Sequence, residues 1–494
     1  MIGKNQRQPE LFIPGDIGDF VPAEHILKRV DNILDLSWLE SEVAHLYSPD
    51  KGRSSVPPEA AVRLMLSGFF AGITQDRKLM REAQVNLAMR WFAGYNLTDT
   101  LPHHSSLTRI RQRWGEQTFR RIFTRTVAQC MDAGLVGGDT VHIDATLIRA
   151  DVSWDSITNQ WVDATIAGNA PDPEPPLESP GGGKAKKKHG RRRSRTRQPK
   201  KRSLTDPDAT LTTNKKGFAM EPSFKQHTAV DDAAGVIVDV EITTGEDSEG
   251  ERLMHTIDRV EATVGEPISR VTADAAYAHS ANYAALEERA IDAVIPPQKT
   301  GRTGGGMPAS RFKYDAKHAC VRCPSGQRLT RRSRVKNGWV YRGSAATCGS
   351  CPLRAQCFSA TAKVRTIFIA HGHEALLRAR RRRICWDAET MNWYKRHRWR
   401  VEGIHGEAKQ QHGLRRAARR GMANVAIQAL LTAAAINLKR LAASLSCVLH
   451  ALEASQAYSI VSFAHLRKFR RQAACFCSAN QISVHDDYAF IFAA

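Results

Sequence analysis

The feature that most constrains this chain is a change of hydrophobic period near residue 137. Upstream, from about Pro22 to Val136, apolar residues recur at helical spacing, as in Ala60, Leu64 and Met65, then Leu66, Phe69 and Phe70, then Leu79, Met80 and Ala83. Downstream the pattern shortens to strand-like runs: TVHID at 140–144, then FKQHTAV and VIVDVEIT around the turn signal DDAAG at 231–235. A helical pattern over 248–263 leads into ISRVTAD, which ends at Asp274, followed by a helical stretch near 281–290 and the short run DAVIPP. The order strand, strand, strand, helix, strand, helix, strand predicts an α/β fold. It would be a mixed sheet flanked by helices, behind an all-helical N-terminal domain. The resulting boundaries are 1–136 for the helical domain, 137–298 for the first part of the sheet core, 299–383 for an insertion and 384–445 for the closing helices. The tail 446–494 carries no reading.

Charge indicates the partner. The 494 residues hold 72 Lys and Arg against 50 Asp and Glu, a net charge of +22, which attracts polyanions and releases their counterions on binding. Within a first insertion, 169–217, 12 of the 19 residues from 184 to 202 are Lys or Arg. Such a run is expected to be disordered. Lys186, Lys187, Lys188, Arg191, Arg192 and Arg193 then grip phosphate backbone or, in the plainer reading, only solvate a spacer. The segment 104–114, HSSLTRIRQRW, reads as a short serine-capped basic helix after a proline turn. As the second helix of a helix-turn-helix it would present Arg109, Arg111 and Arg113 to DNA. No apolar leader follows the start, and the longest apolar stretch, 423–438, is short and carries Gln428 and Asn437, so the chain reads as cytosolic. Residues 425–441 then form a core helix.

Asp144 and Asp274 each close an apolar strand, where open α/β sheets present side chains to a crevice, although aspartate also ends strands simply as a turn former. In the stretch 391–414, Tyr394, Arg398, Glu402 and Lys409 fall within one stripe of roughly 80° on a helix, with His405 on the same face. That face sets a carboxylate beside groups able to hold phosphate; an ion-paired surface helix has the same spacing. Cys320, Cys323, Cys348 and Cys351 form two C-x2-C pairs, with Cys357 six residues further on. Four thiolates suit a structural Zn2+ in a small zinc-ribbon-like insertion, with Cys357 able to replace one of the four; reduced, unliganded thiols are the alternative.

The run Arg398, three residues, Glu402, six residues, Lys409 resembles the signature around the catalytic glutamate of bacterial insertion-sequence transposases of the DDE type. Tyr394 stands one residue off the family's usual tyrosine position. VHIDATLIRAD around Asp144, SFKQHTAVDD, and RVTADAAYAHSANYAAL around Asp274 are similar to the same family. The resemblance implies a ribonuclease-H-like core in which Asp144, Asp274 and Glu402 hold Mg2+ or Mn2+, with Asp144 bridging two ions and Arg398 and Lys409 beside the scissile phosphate. It further implies cleavage and strand transfer at terminal inverted repeats, double-stranded DNA as partner, a homodimer or higher oligomer, and a bacterial, nucleoid-associated location. A catalytically silent regulator, a nuclease of the same fold and a zinc-ribbon binder without catalysis are the competing readings.

Overall fold

Thr140–Arg149 (β1) occupies the middle of an eight-stranded sheet in the computed structural model, which describes residues 16–48, 55–159, 201–212, 220–298, 306–359 and 361–454. The other strands are Ile157–Asn159 (β2), Lys201–Ser203 (β3), Thr210–Thr212 (β4), Glu221–Asp231 (β5), Ile237–Thr244 (β6), Arg270–Ala273 (β7) and Asp292–Val294 (β8). β5 runs antiparallel to β1 and to β6, while β7 and β8 run parallel to β1. The central order is therefore β6-β5-β1-β7-β8, a mixed sheet as the element order predicts. The two parallel steps carry the helices that parallel connections require: α7 (Glu249–Val264) between β6 and β7, and α8 (Ser280–Glu288) between β7 and β8.

The first insertion differs from expectation in part. Residues 201–212, assigned to a disordered loop, supply β3 and β4, which extend the sheet through β4 pairing with residues 221–223 of β5. Their order follows from specific anchors. Ser203 Oγ accepts from Thr205 N and Asp206 N at 3.2 Å, Asp206 Oδ2 accepts from Gly421 N at 3.2 Å, and Ala209 is buried. Lys186, Lys187, Lys188, Arg191, Arg192 and Arg193 lie outside the described residues.

The N-terminal region is helical throughout: α1 (Ile26–Asp31), α2 (Leu39–Val43), α3 (Pro58–Phe70), α4 (Asp76–Val85), α5 (Leu87–Phe92) and α6 (His104–Asp132). The basic segment starts α6, with His103 rather than a serine as N-cap. The helix continues to Asp132 across a kink at Gly115, whose φ of 67° is readily reached only without a Cβ. Arg109 and Arg113 are exposed, and Arg113 also stacks on the Tyr47 ring at 4.5 Å. Arg111 is only 3% exposed. It is therefore no DNA contact: its two terminal nitrogens donate to Asp76 at 2.9 and 3.0 Å, and Arg419 reaches the same carboxylate at 2.6 Å.

The second insertion forms a separate antiparallel sheet, β13-β12-β11-β10-β9, from Lys313–Asp315 (β9), Cys320–Arg322 (β10), Arg328–Val335 (β11), Gly338–Arg342 (β12) and Thr366–Ala370 (β13). Two short helices, α9 (Ala345–Gly349) and α10 (Arg354–Cys357), interrupt it between β12 and β13. Its own core is small: Phe312, Val321, Leu329, Tyr341, Cys357, Ile367 and Ile369. The chain then returns to the main core through α11 (His373–Ile384), α12 (Ala388–Gln410) and α13 (Met422–Ala454). Met422–Leu445 is long and apolar enough to cross a membrane, but 89% of that window is buried inside the protein, so it is a core helix. Both polar residues noted in it are satisfied. Asn437 pairs with the N–H and the C=O of Ile237 on β6, each at 2.9 Å, and Gln428 accepts from Ala418 N at 2.8 Å while donating to the carbonyls of Gly413 and Arg416.

Burial acts most strongly on the Asp76 carboxyl and would raise it, yet Arg111 and Arg419 outweigh burial and hold it low. The stability this triad contributes is therefore present at neutral pH and lost as pH falls below the ordinary aspartate range. Asp76→Ala leaves the buried Arg111 and the half-buried Arg419 uncompensated and should cost about 3–5 kcal/mol in urea unfolding at pH 7. The difference should narrow toward pH 3. A loss under about 1 kcal/mol at pH 7 would show that the triad is dispensable.

Candidate active site

The site begins with strand alternation on β1. His142, Asp144 and Thr146 share one face, and α12 crosses that face. His142 shares the Thr272 hydroxyl with His397 of α12, Asp144 lies 3.7 Å from His405, and the Thr146 hydroxyl accepts from Lys409 Nζ at 2.5 Å. The parallel β1–β7 ladder pairs Ile143 with Ala273, so the next residues in register, Asp144 and Asp274, emerge side by side where β7 ends; β1 itself does not close at Asp144, as its apolar run suggested, but continues against β5 to Arg149. Asp274 turns the chain into a short 3-10 helix, its Oδ1 accepting from Ala276 N at 2.8 Å. The structure thus brings Asp144 and Asp274 together and lays the predicted helix face over them.

Burial is the largest influence on Asp144 and, with Asp274, Glu249 and Glu402 nearby, pushes its carboxyl up to about 7 against a hydrogen bond from the Ala145 N–H. His405 does not offset this. It is fully buried, accepts or donates at Thr228 Oγ1 across 3.1 Å, and burial lowers its pKa to about 3, so the ring stays neutral and its approach to Asp144 is not an ion pair. Lys409 is the cation on this face; burial and Arg415 lower its pKa while Asp144 raises it.

Glu402 is exposed and bound to Arg398 Nε at 3.2 Å, one turn back. Arg398 is exposed too, so that pair has the geometry of the plain ion-paired helix as well as of a site rim. Tyr394 stacks on His397 at 6.3 Å with an interplanar angle of 8°. Its hydroxyl is raised by burial and then by the Asp274 charge, which places it on the crevice side of α12.

Two members of the site had no signal in the sequence. Glu249, the first residue of α7, adds a fourth carboxylate to the surroundings of Asp144 and binds Lys225 Nζ at 3.1 Å. Tyr277 is wholly buried, and its hydroxyl has no hydrogen-bond partner although Asp144, Glu249 and Asp274 all act on it. An orphaned buried hydroxyl among carboxylates is costly and fits a place for an oxygen-loving cation. Among the described residues, no group of three or more His, Cys, Asp or Glu side chains is arranged to hold a metal ion.

Residues 322–442 match the family model described as transposase DDE domain, and residues 15–113 match the transposase domain (DUF772). The two matched stretches identify a transposase with a DDE domain. The DDE match contains Arg398, Glu402 and Lys409, whereas Asp144 and Asp274 fall between the two matched stretches and stand in this transposase on the sheet geometry. The chain is also similar to the piggyBac transposase in the cryo-EM structure of its synaptic complex with hairpin DNA, at 11% identity over 94% of this chain and 82% of that one, with a TM-score of 0.34. No curated protein matches it.

A carboxyl raised to about 7 stays protonated in the folded chain at pH values where the unfolded chain has ionised, so metal-free stability is lost as pH rises from about 4 to 7. Asp144→Asn should therefore stabilise the metal-free protein at pH 8 by roughly 2–4 kcal/mol, with the gain vanishing near pH 4. Thermal unfolding in chelator across that range measures it. A pH-independent difference would mean that Asp144 is not held in this environment.

Proposed function

We propose that this transposase cleaves DNA at the terminal inverted repeats of an insertion sequence and joins the freed 3′ ends to a target, with Asp144, Asp274 and Glu402 as its metal-holding acids. The observation that carries the reading is the adjacency of Asp144 and Asp274 on neighbouring parallel strands, beneath the helix that bears the family-matched Glu402. Magnesium or manganese suits the donor set, which consists of carboxylate oxygens around the orphaned Tyr277 hydroxyl. Bound there, divalent metal supplies activation of the attacking oxygen and stabilisation of the leaving one.

The chain's own residues do the rest. Lys409, anchored on Thr146, directs its ammonium beside Asp144, where it would grip the phosphate next to the scissile bond. Arg398 holds Glu402 toward the rim and becomes available to phosphate once Glu402 turns inward. His405, neutral and tied to Thr228, leaves the Asp144 oxygens free of a competing cation. Exposed Arg109 and Arg113, together with the basic run at 186–193, make the longer DNA path, and a dimer or higher oligomer holds two element ends at once.

The test is cleavage of labelled element-end DNA by the purified chain in magnesium. Asp144→Asn, Asp274→Asn and Glu402→Gln should each reduce cleavage by at least about 100-fold while binding the ends normally. Lys409→Ala should lose roughly 10- to 100-fold. Cleavage preserved in the acid variants overturns the assignment. Cleavage without joining would make the protein a nuclease, and binding without cleavage in the unsubstituted chain a regulator.

A further inference from the structure

The insertion between β8 and α11 contains chemistry that transposition at the acidic site leaves unused. Cys323, Cys348, Cys351 and Cys357 line one pocket of the small sheet domain, against Phe312 and Phe358. They reach it from three separate elements. Cys323 follows β10 in a tight turn: its N–H donates to Gln327 O and its C=O accepts from Gly326 N, both at 2.9 Å, with Gly326 at a φ of 78°. Cys348 lies in α9 and Cys351 just beyond it, while Cys357 ends α10.

The backbone at Gly343 passes so close that a Cβ there would meet the Cys348 sulfur at 2.7 Å. The proximity of the four is felt at Cys357, whose thiol is raised by burial, lowered by Arg365, and raised again by Cys348, Cys323 and Cys351. Cys320 takes no part. It does not line the pocket, and in β10 it sits next to Val321, which faces the domain core, so strand alternation turns Cys320 to the other face. The paired spacing in the sequence had nominated Cys320 and left Cys357 as a substitute. The pocket reverses their places.

We propose that Cys323, Cys348, Cys351 and Cys357 bind one structural zinc ion. Four soft thiolates with no open position select zinc and favour a closed, non-catalytic site. Arg328 and Arg365, which also line the pocket, offset the negative charge such a centre carries. The domain has reason to need it: seven buried residues make a core of the size that small folds commonly reinforce with a metal. In the structure the four thiols line the pocket without closing on a common point, and the ion supplies that convergence as it binds. Catalysis at Asp144 and Asp274 is not part of the inference.

The full chain, purified under reducing conditions from zinc-supplemented cells, tests it by elemental analysis. About one zinc per chain is expected, kept by Cys320→Ser and lost by Cys357→Ser and Cys323→Ser. In case the last two fail to fold, exchange of the unsubstituted chain and of Cys320→Ser into cobalt should give identical tetrahedral tetrathiolate spectra. Zinc lost by Cys320→Ser but kept by Cys357→Ser, a cobalt spectrum changed in Cys320→Ser, or an unsubstituted chain without zinc would each overturn the proposal.

Discussion

The position of α12 against the sheet decides whether the candidate site assembles, and three threonine hydroxyls set it. Thr272 Oγ1 joins His142 Nδ1 at 2.6 Å to His397 Nδ1 at 3.0 Å, Thr228 meets His405 at 3.1 Å, and Thr146 accepts from Lys409 at 2.5 Å. An apolar face of Val401, Ile404 and Ala408 would tolerate a shift of register at little cost, whereas buried polar groups stripped of partners would not. Burial keeps His397 and His405 neutral, each with a pKa lowered to about 3, so neither ring of α12 charges near neutral pH. The far end of the first link is fixed as well: His142 Nε2 lies 2.9 Å from Asp232, which in turn binds Arg396 of α12 at 2.5 Å.

With α12 fixed, the electrostatics of the crevice follow. Asp144, Asp274, Glu249 and Glu402 bear on one another, and Lys409 is the cation held directly on the strand face. The folded chain therefore gathers carboxylates beside the end of β7, which is a condition for capturing a divalent cation and a cost without one. The rest of the protein absorbs that cost through its core. α6 and α13 belong to the same hydrophobic cluster as the sheet, and the Asp76 triad joins α4 and α6 to the segment just before α13. The N-terminal helices are thereby held in fixed relation to the acids, as DNA that must reach both would require.

What could be read from the sequence was what is local. Asp274 at the end of its strand, the shared face of Arg398, Glu402 and Lys409, and the alternation of strands and helices all follow from spacing along a few turns or a few strand residues, whereas Asp144 was read as closing a strand that in fact runs on to Arg149. Arg111 was misjudged because its neighbours Arg109 and Arg113 do point outward; only the distant Asp76 reveals that it is a buried ion-pair partner. Glu249 and Tyr277 were invisible because nothing near them in sequence marks an approach to β1. The cysteine pairs misled for the opposite reason, since regular C-x2-C spacing outweighed the strand geometry that turns Cys320 away. Residues 201–212 looked like more of the same basic loop until β5 gave them an edge to pair with.

The proposed site requires segments far apart in sequence to converge on one metal position. Its most direct measurement is site-localised backbone cleavage of the protein itself, with iron(II) substituted for magnesium and peroxide and ascorbate added to generate hydroxyl radicals at the bound ion. Cuts near Asp144, near Asp274 and near Glu402, suppressed together by excess magnesium and absent in Asp144→Asn, are the predicted result. Cuts confined to one of the three segments, or unaffected by magnesium, would contradict it.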